Sequence, residues 1–367
     1  MSTRRVRVAV IGTGFMGRTH CEAVGRAGAE LVGIVGSAPG RADELAASFG
    51  AHSYGTLDEL LAGPADVVHV TSPNHLHAEH AAAVLRAGKH LICEKPLTLT
   101  SAEARGLVEL AEESGLVAAT CFNLRFYPLV LEIRARIARG AAPTLVRGSY
   151  LQDWLLYDDD WNWRVDVASG GATRAVADIG SHLIDLLCFV LGRDVVGLQA
   201  HLTTTVPERV DPSGERVAVV TDDAAQLLLE WEDGVRGVLS VSQVSPGRKN
   251  QLAVQIDCRD EGLAWESEDP DRLWIGLRDQ PNQILHRDPA TLTSSVPTFY
   301  PGGHVEGYAE TFRGLLEQVY ADVLAGGPQP GSTYASLADG ARSVAITEAV
   351  LQSSREGRWI KINQEER

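Results

Sequence analysis

A short apolar strand, a glycine-rich turn and a helix follow one another near the start of the chain. Residues 6–11 read VRVAVI, residues 12–17 read GTGFMG, and an amphipathic stretch follows. The G-x-G-x-x-G pattern is weak alone, but here it lies between a strand and a helix, as a dinucleotide-binding turn requires. In such a turn Gly12 permits the tight bend, Gly14 lets a diphosphate approach the backbone, and Gly17 lets the helix pack on the strand. The diphosphate is then expected at the helix N-terminus, where free N–H groups favour anions.

The alternation of strand and helix patterns continues after this turn. Further apolar runs lie at residues 31–35, 66–72, 90–93 and 116–122. Nearly continuous apolar strands separated by amphipathic helices are typical of a parallel, doubly wound sheet. We therefore predict an α/β Rossmann domain over residues 1–123 that binds NAD(P).

The second half of the chain has a different pattern. The strand candidates are TLVRGSYLQ, VVGLQAHLTT, AAQLLLEW, VRGVLSVSQV and QLAVQIDC, with helices at 307–325 and 335–354 and a last strand at WIKI. Such a meander builds an antiparallel sheet with one open face. We predict a C-terminal α+β domain over residues 124–367, with a large, mostly antiparallel open sheet and last helices that can pack back on the first domain.

Composition argues against several classes of protein. The chain has 367 residues and a formal net charge of −15, and no run of Lys and Arg offsets that charge, so a nucleic-acid partner is not expected. No stretch approaches the roughly 20 apolar residues that span a bilayer, and the first apolar run is too short for a secretory signal. The five cysteines are far apart without C-x-x-C spacing, which predicts reduced thiols in a cytoplasmic protein.

Two further features suggest chemistry. The strand at residues 90–93 ends in Glu94 and Lys95, and open α/β sheets bind their ligands at the carboxyl ends of such strands. A surface ion pair is the alternative. In the helical stretch 170–192, Asp178 and His182 lie four residues apart and share a face with Asp185. A His beside carboxylates is a candidate general acid/base, and a buried His held for packing is the alternative.

The position that would select between NAD and NADP lacks a carboxylate. About 20 residues after the glycines, an acidic residue binds the ribose 2′-hydroxyl of NAD. Here the chain has Gly36, Ser37 and Ala38, with Arg41 shortly after. A small residue, a hydroxyl and an arginine suit a 2′-phosphate, so NADP is favoured over NAD. The alternative is that Arg41 begins a helix and NAD binds without an acidic clamp.

Taken together, these motifs resemble the glucose–fructose oxidoreductase / inositol dehydrogenase (Gfo/Idh/MocA) family of NAD(P)-dependent oxidoreductases. The matching stretches are GTGFMG, TSPNHLHAEHA, AGKHLICEKPL, FNLRFYP, WNWR and ADIGSHLIDL. The resemblance implies hydride transfer between nicotinamide and a secondary hydroxyl or ketone of a sugar, sugar derivative or cyclitol. It also implies a homodimer or homotetramer through the open sheet.

The resemblance assigns roles to individual residues. Lys95, Asp178 and His182 are expected to meet around the reacting carbon, with His182 as base and Lys95 bound to the same oxygen. With Ser37 and Arg41 added, the expected cofactor-binding residues are Gly12, Gly14, Phe15, Met16, Ser37, Arg41, Thr71, Pro73, Asn74, His77, Glu94, Lys95 and Asn123. The expected substrate-binding residues are Lys95, Arg125, Trp154, Trp163, Arg164, Asp178 and His182.

Two other functions stay open at this point, and two further sequence features bear on the substrate and on a metal. The alternatives are an NAD-dependent glycosidase of the same fold and a non-catalytic dinucleotide-binding regulator. Arg174 stands where many relatives have small apolar residues, which suggests a charged or bulky substituent on the substrate. No metal is expected, because His75, His77 and His80 do not share one face and no carboxylate or Cys set completes a site.

Overall fold

A computed structural model describes residues 4–293 and 296–362. The chain divides into two compact units. The first unit comprises residues 1–126 and 308–341, and the second comprises residues 127–307 and 342–367. Each unit has its own sheet, and no described helix is long and apolar enough to cross a bilayer.

The first unit is built from short strands that alternate with helices. Its strands, numbered through the whole chain, are β1 (Arg7–Ile11), β2 (Glu30–Val35), β3 (His52–Tyr54), β4 (Val67–Val70), β5 (His90–Cys93), β6 (Ala118–Thr120) and β17 (Ala335–Ser336). Its helices are α1 (Phe15–Arg26), α2 (Asp43–Phe49), α3 (Leu57–Ala62), α4 (His77–Arg86), α5 (Ser101–Ser114), α9 (Tyr308–Ala325) and the start of α10 (Leu337–Glu356).

The strands of the first unit form a doubly wound sheet. Among the described residues its order is β17-β6-β5-β4-β1-β2-β3, and all neighbours are parallel except β17 with β6. The direction of winding reverses between β1 and β4, and the carboxyl edge at such a reversal is where these sheets bind ligands. The predicted Rossmann fold is confirmed.

Helix α9 completes the core of this unit although it comes late in the chain. Its apolar residues recur at spacings of three and four, as expected for one buried helix face. They are Phe312, Leu315, Leu316 and Val319, and they pack in one cluster with Val8, Val67 and Ile92 of the sheet. The core of the first unit therefore combines residues from the beginning of the sequence with residues from α9, about 300 positions later.

The second unit is mainly β structure. Its strands are β7 (Pro143–Leu151), β8 (Val195–Thr203), β9 (Glu208–Val210), β10 (Arg216–Ala218), β11 (Ala224–Trp231), β12 (Arg236–Ser242), β13 (Gln251–Cys258), β14 (Gly262–Glu266), β15 (Arg272–Gly276), β16 (Gln283–His286) and β18 (Ile360–Lys361). Its helices are α6 (Pro128–Ala138), α7 (Val167–Gly170), α8 (Ser181–Leu191) and the rest of α10.

One large sheet dominates the second unit. Within the described ranges its order is β16-β15-β14-β13-β7-β12-β11-β8-β18, antiparallel except where β12 pairs with β7. The predicted, mostly antiparallel sheet is confirmed, and the five predicted strands all belong to it. Helix α8 lies on the sheet beside Gly148, where a Cβ atom would come within 3.2 Å of Leu183 Cδ1. The missing side chain thus lets the helix approach the strand closely.

The predicted helix over residues 170–192 is interrupted. Helix α7 ends at Gly170, a π-helical turn covers Val176–Gly180, and only then does α8 begin. Asp178 lies in the π-helical turn, whereas His182 lies in the first turn of α8. Single π-helical turns are rare and often occur at functional sites.

Candidate active site

The glycine turn of the first unit has the geometry that a dinucleotide requires. Gly12 has φ = +114°, and a Cβ atom there would lie 2.6 Å from Thr71 Oγ1. A Cβ atom on Gly17 would lie 2.2 Å from the carbonyl oxygen of Gly12, whereas one on Gly14 would meet no atom within 4 Å. Gly12 and Gly17 therefore make the bend and the close packing, and Gly14 presents open backbone to a ligand.

Among the described residues, the N-terminus of α1 has neither a side-chain cap nor an acidic first turn, whereas α2 and α4, which also lack side-chain caps, have acidic residues in their first turns. Helices α3 and α5 begin with capping boxes, formed by Thr56 with Glu59 and by Thr100 with Glu103. No side chain of the described residues caps α1, and its first turn contains no acidic residue. Its unsatisfied N–H groups and the positive end of the helix dipole suit an anion such as a diphosphate. Phe15, which begins this helix, is 74% exposed.

The turns after β4 and β5 are tied to each other and to β1. The Thr71 hydroxyl donates to the carbonyl oxygen of Ile11 at 2.8 Å. His77 is buried, and its ring nitrogens lie 2.7 Å from the carbonyl oxygens of Ser72 and Pro96. The ring of His77 thus links the turn after β4 to the turn after β5. Direct contact of Thr71, Pro73, Asn74 and His77 with a cofactor stays a prediction.

Glu94 and Lys95 lie at the carboxyl edge of the sheet, as predicted. The Glu94 N–H continues the ladder by donating to the Val70 carbonyl oxygen at 2.9 Å. The Glu94 carboxylate is buried, which by itself would raise its pKa, but the hydrogen bond from His20 and the positive charge of Lys95 lower the pKa to about 2. Its Oε2 accepts the Lys95 N–H at 3.1 Å. The pair at the strand end is therefore a buried, hydrogen-bonded carboxylate followed by a partly exposed lysine.

Other predicted residues of the first unit occupy distinct places. Ser37 and Arg41 are both exposed after β2, and a Cβ atom on Gly36 would lie 2.7 Å from Arg41 Cβ. Asn123 is buried and donates to Thr311 Oγ1 at 2.7 Å. Arg125 is also buried and forms an ion pair with Asp339 at 3.4 Å. Whether the last two contact cofactor or substrate stays a prediction.

In the second unit, Asp178 is held by two side chains. Arg164 Nε lies 3.3 Å from Asp178 Oδ1, and Gln243 Nε2 donates to Oδ2 at 2.8 Å. The guanidinium of Arg164 also stacks on Trp163, 4.4 Å from its ring centre. The predicted W-R pair and the predicted carboxylate are therefore brought together. A cation and an amide donor both stabilise the ionised carboxylate.

His182 is buried, one helical turn after Asp178. Its ring is 6.5 Å from the ring of Tyr150, centre to centre. Tyr150 donates to Asn250 Oδ1 at 2.9 Å, and Gln152 donates to the same oxygen at 2.7 Å. Gln152 in turn accepts the indole N–H of Trp154 at 2.7 Å. Sequence reasoning did not identify Tyr150, Gln152, Gln243 or Asn250, because polar residues on strand candidates carry no distinctive spacing.

Asp185 is buried and its carboxylate lies 3.9 Å from Arg342, and its grouping with Asp178 and His182 stays a prediction. One interpretation from the sequence does need correction. Arg174 is only 1% exposed and pairs with the buried Asp223, which also contacts Arg209. Its guanidinium therefore belongs to a buried ion cluster and offers no surface to a substrate substituent.

Comparison with known proteins supports the family. Residues 6–122 match the model of an oxidoreductase family with an NAD-binding Rossmann fold, GFO_IDH_MocA, and residues 130–263 match the GFO/IDH/MocA C-terminal domain. The chain belongs to the GFO/IDH/MocA family. The predicted resemblance and the assignment to oxidoreductases are thereby confirmed.

Several family members match over nearly their whole length. Levoglucosan dehydrogenase from Pseudarthrobacter phenanthrenivorans is 28% identical, with 98% of this chain and 99% of the relative covered. Inositol 2-dehydrogenase from Rhizobium meliloti is 24% identical, with 97% and 99% covered. A solved levoglucosan dehydrogenase in complex with NADH and L-sorbose has a TM-score of 0.91 at 28% identity, with 99% of this chain and 100% of that chain covered.

Proposed function

We propose that the protein is an NAD(P)-dependent dehydrogenase that transfers a hydride between nicotinamide and a secondary hydroxyl or ketone of a sugar, sugar derivative or cyclitol. The observation that carries the proposal is that each unit contributes one feature: the first has the open, uncapped glycine turn, and the second has Asp178, which contacts Arg164 and Gln243, one turn before His182. The names of the relatives, levoglucosan dehydrogenase and inositol 2-dehydrogenase, support this substrate class.

The residues of the first unit fit a dinucleotide cofactor. The uncapped N-terminus of α1 and the open backbone at Gly14 would hold its diphosphate. The cofactor, when bound, supplies the carbon that accepts or donates the hydride. Lys95 would stabilise negative charge that develops on the substrate oxygen.

The proton that accompanies the hydride needs a base of its own. We assign this role to His182, because imidazole exchanges protons near neutral pH. Asp178, which contacts Arg164 and Gln243, would orient the imidazole and stabilise its protonated form. In oxidation the hydroxyl proton passes to His182 while the hydride leaves the carbon that bears the hydroxyl group.

A dehydrogenase screen tests this proposal directly. We expect reduction of NAD or NADP, followed at 340 nm, with at least one member of a panel of pyranoses, anhydrosugars and cyclitols. A glycosidase that oxidises its substrate only transiently would instead release a free sugar without net formation of reduced cofactor. No turnover with any panel member, despite tight dinucleotide binding, would favour a non-catalytic regulator.

We further propose that the site accepts NADP in preference to NAD. No carboxylate follows β2 where a ribose 2′-hydroxyl would be bound, and both Ser37 and Arg41 are exposed there. A hydroxyl and a guanidinium can both bind a phosphate. The solved levoglucosan dehydrogenase contains NADH, so the preference of this chain needs its own measurement.

Ser37→Asp is expected to shift the preference towards NAD, because a carboxylate repels the 2′-phosphate and can accept a hydrogen bond from the 2′-hydroxyl. The ratio of kcat/KM for NADP to that for NAD should fall by about tenfold or more. A tenfold change corresponds to a difference of about 1.4 kcal/mol between the two cofactors in binding free energy. Ser37→Asn is the matched neutral control and should change the ratio much less. Preference for NAD in the parent protein would contradict the proposed role of Ser37 and Arg41.

We propose that the open face of the large sheet binds a second copy of the chain. On β11 and β12, Leu228 and Val238 are directly paired and both are about half exposed. Leu145 on β7 and Ile284 on β16 are also exposed apolar residues of this sheet. Apolar side chains grouped on a sheet face are typical of a contact surface, and a homodimer or homotetramer through this sheet is what the family resemblance implies.

Val238→Glu is expected to convert the oligomer to a monomer, because it would bury a charge against the same face of the partner. Size-exclusion chromatography with light scattering measures the mass directly. Val220→Glu is the matched control, since Val220 is exposed but lies outside the described strands of the sheet, and it should leave the mass unchanged. A monomeric parent, or equal effects of both variants, would overturn the assignment.

We also propose that the protein acts in the cytoplasm. All five cysteines are free thiols, and Cys21, Cys93, Cys121 and Cys188 are buried. Unpaired cysteines are the usual state in a reducing compartment.

A further inference from the structure

A line of buried polar side chains crosses the core of the first unit behind Glu94. His20 on α1 and His69 on β4 are both 0% exposed, and Tyr320 on α9 is nearly so. None of the three belongs to the predicted cofactor or substrate residues. Polar side chains in a core are stable only when they are hydrogen-bonded, so their partners indicate what they do.

The contacts join these residues into one continuous chain. The Tyr320 hydroxyl lies 3.1 Å from His69 Nε2. His69 Nδ1 lies 3.0 Å from His20 Nδ1, and His20 Nε2 lies 3.0 Å from Glu94 Oε1. The other carboxylate oxygen of Glu94 accepts the N–H of Lys95. Three contacts therefore separate a tyrosine on α9 from the carboxylate next to Lys95.

The direction of every hydrogen bond in this chain of side chains follows from its last member, Glu94. An ionised carboxylate only accepts, and the pKa of Glu94 is lowered to about 2, so His20 Nε2 must carry a proton. With His20 neutral, its Nδ1 accepts from His69 Nδ1–H. His69 Nε2 then has a lone pair that accepts from the Tyr320 hydroxyl. Burial lowers the pKa of His69 and raises the pKa of Tyr320, which agrees with a neutral His69 and a protonated tyrosine.

We propose that Tyr320, His69 and His20 form a one-directional hydrogen-bond chain that fixes Glu94 as an oriented carboxylate and thereby positions the backbone of Lys95. The three are positioning residues, since they act on the substrate only through Glu94 and Lys95. The role of Lys95 is part of the proposed function, on which this inference rests. The hydrogen-bond chain keeps the turn after β5 in one geometry, and Lys95 itself is partly exposed.

The same place could be taken for a metal site. His20, Glu94 and Cys121 offer three ligand atoms within 4.8 Å of one another. However, Cys121 Sγ lies 3.8 Å from His20 Nε2, and burial together with the negative charge of Glu94 raises the pKa of the Cys121 thiol. A metal needs the thiolate. The proton-bearing arrangement satisfies the polar atoms of the chain without an ion, and we therefore favour it.

Nitrogen-15 NMR of the imidazoles tests the chain without using activity. In the intact protein at pH 7.5, we expect His20 to be neutral with its proton on Nε2 and His69 to be neutral with its proton on Nδ1. Tyr320→Phe and His69→Phe assign the two signals. A cationic His20, a proton on Nδ1 of neutral His20, or stoichiometric zinc in the purified protein would each overturn the proposal.

Kinetics of His20 variants test the positioning role. His20→Leu removes the donor to Glu94, and we expect kcat to fall by up to about 10²-fold, as displacement of a catalytic group can produce. The Kd for the reduced cofactor, measured by fluorescence, should change little. His20→Gln places an amide N–H near the position of Nε2 and should recover most of kcat.

The outcomes separate positioning from general support of the fold. The loss of kcat in His20→Leu and His20→Gln could simply parallel a fall in the midpoint of thermal unfolding. If it does, and if His20→Gln recovers no activity at equal stability, His20 is structural and the positioning role is wrong. If Lys95 itself proves dispensable for turnover, the proposed function fails, whatever the imidazole spectra show. The NMR result thus stands apart from the assignment of the catalytic lysine.

Discussion

Replacement of His182 by asparagine should slow substrate oxidation by about 10²–10⁴-fold, the usual contribution of a positioned acid/base. In the parent protein, kcat/KM for oxidation should rise with pH through the range in which histidines titrate, about 6–8, because the base must be deprotonated to accept the hydroxyl proton. In His182→Asn this limb should flatten. A pH profile of kcat/KM for both proteins, with one substrate and saturating cofactor, measures both effects.

The neighbouring carboxylate gives a second, graded test of the same role. Asp178→Asn removes the charge that orients the imidazole while Arg164 and Gln243 still surround the side chain, so it should slow oxidation less than His182→Asn. Asp178 and His182 can titrate as a pair, so the apparent midpoint belongs to both. An unchanged pH profile in a folded His182→Asn protein would transfer the role of base to Lys95.

Lys95→Ala should lower kcat by about 10²–10³-fold, the usual loss when one positioned electrostatic donor is removed from a developing oxyanion. The fold should persist, because the Lys95 side chain is partly exposed and the carboxylate of Glu94 is held by His20. The Kd for the reduced cofactor should stay within a few-fold of the parent value. Lys95→Arg, which keeps the charge but changes the donor geometry, should retain part of the activity. Near-normal turnover by folded Lys95→Ala would refute the proposed role.

The architecture and the edge that holds the first half of the site could be predicted from the sequence. The glycine turn, the apolar strands and the Glu-Lys pair are local signals. Parallel strands collect their carboxyl ends at one edge, and this places Gly12, Thr71 and Glu94 along that edge. Short elements were missed: β3 has only three residues, His52–Tyr54, and α3 only six, Leu57–Ala62, too few for a clear period.

The buried polar residues could not be predicted because their partners lie far away in sequence. His69 interrupts an apolar strand and is a visible anomaly, but its partner Tyr320 is 251 residues later. Arg174 suggested a substrate contact because an isolated arginine in an apolar stretch looks functional. Only the fold shows that Asp223, 49 residues away, pairs with it. Arg342, which lies 3.9 Å from the carboxylate of Asp185, likewise comes from a distant element, α10.

The discontinuity of the first unit affects how this chain can be synthesised and dissected. Residues 308–341 belong to the unit that residues 1–126 begin, and Phe312, Leu315 and Val319 fill the core beside Val8 and Val67. A ribosome must therefore translate most of this sequence before this core can close, and the second unit, which includes residues 342–367, is completed later still. A nucleotide-binding module cannot be excised as one contiguous N-terminal fragment. A protein that contains residues 1–126 joined to residues 308–341 through a short linker would keep the core of the first unit complete.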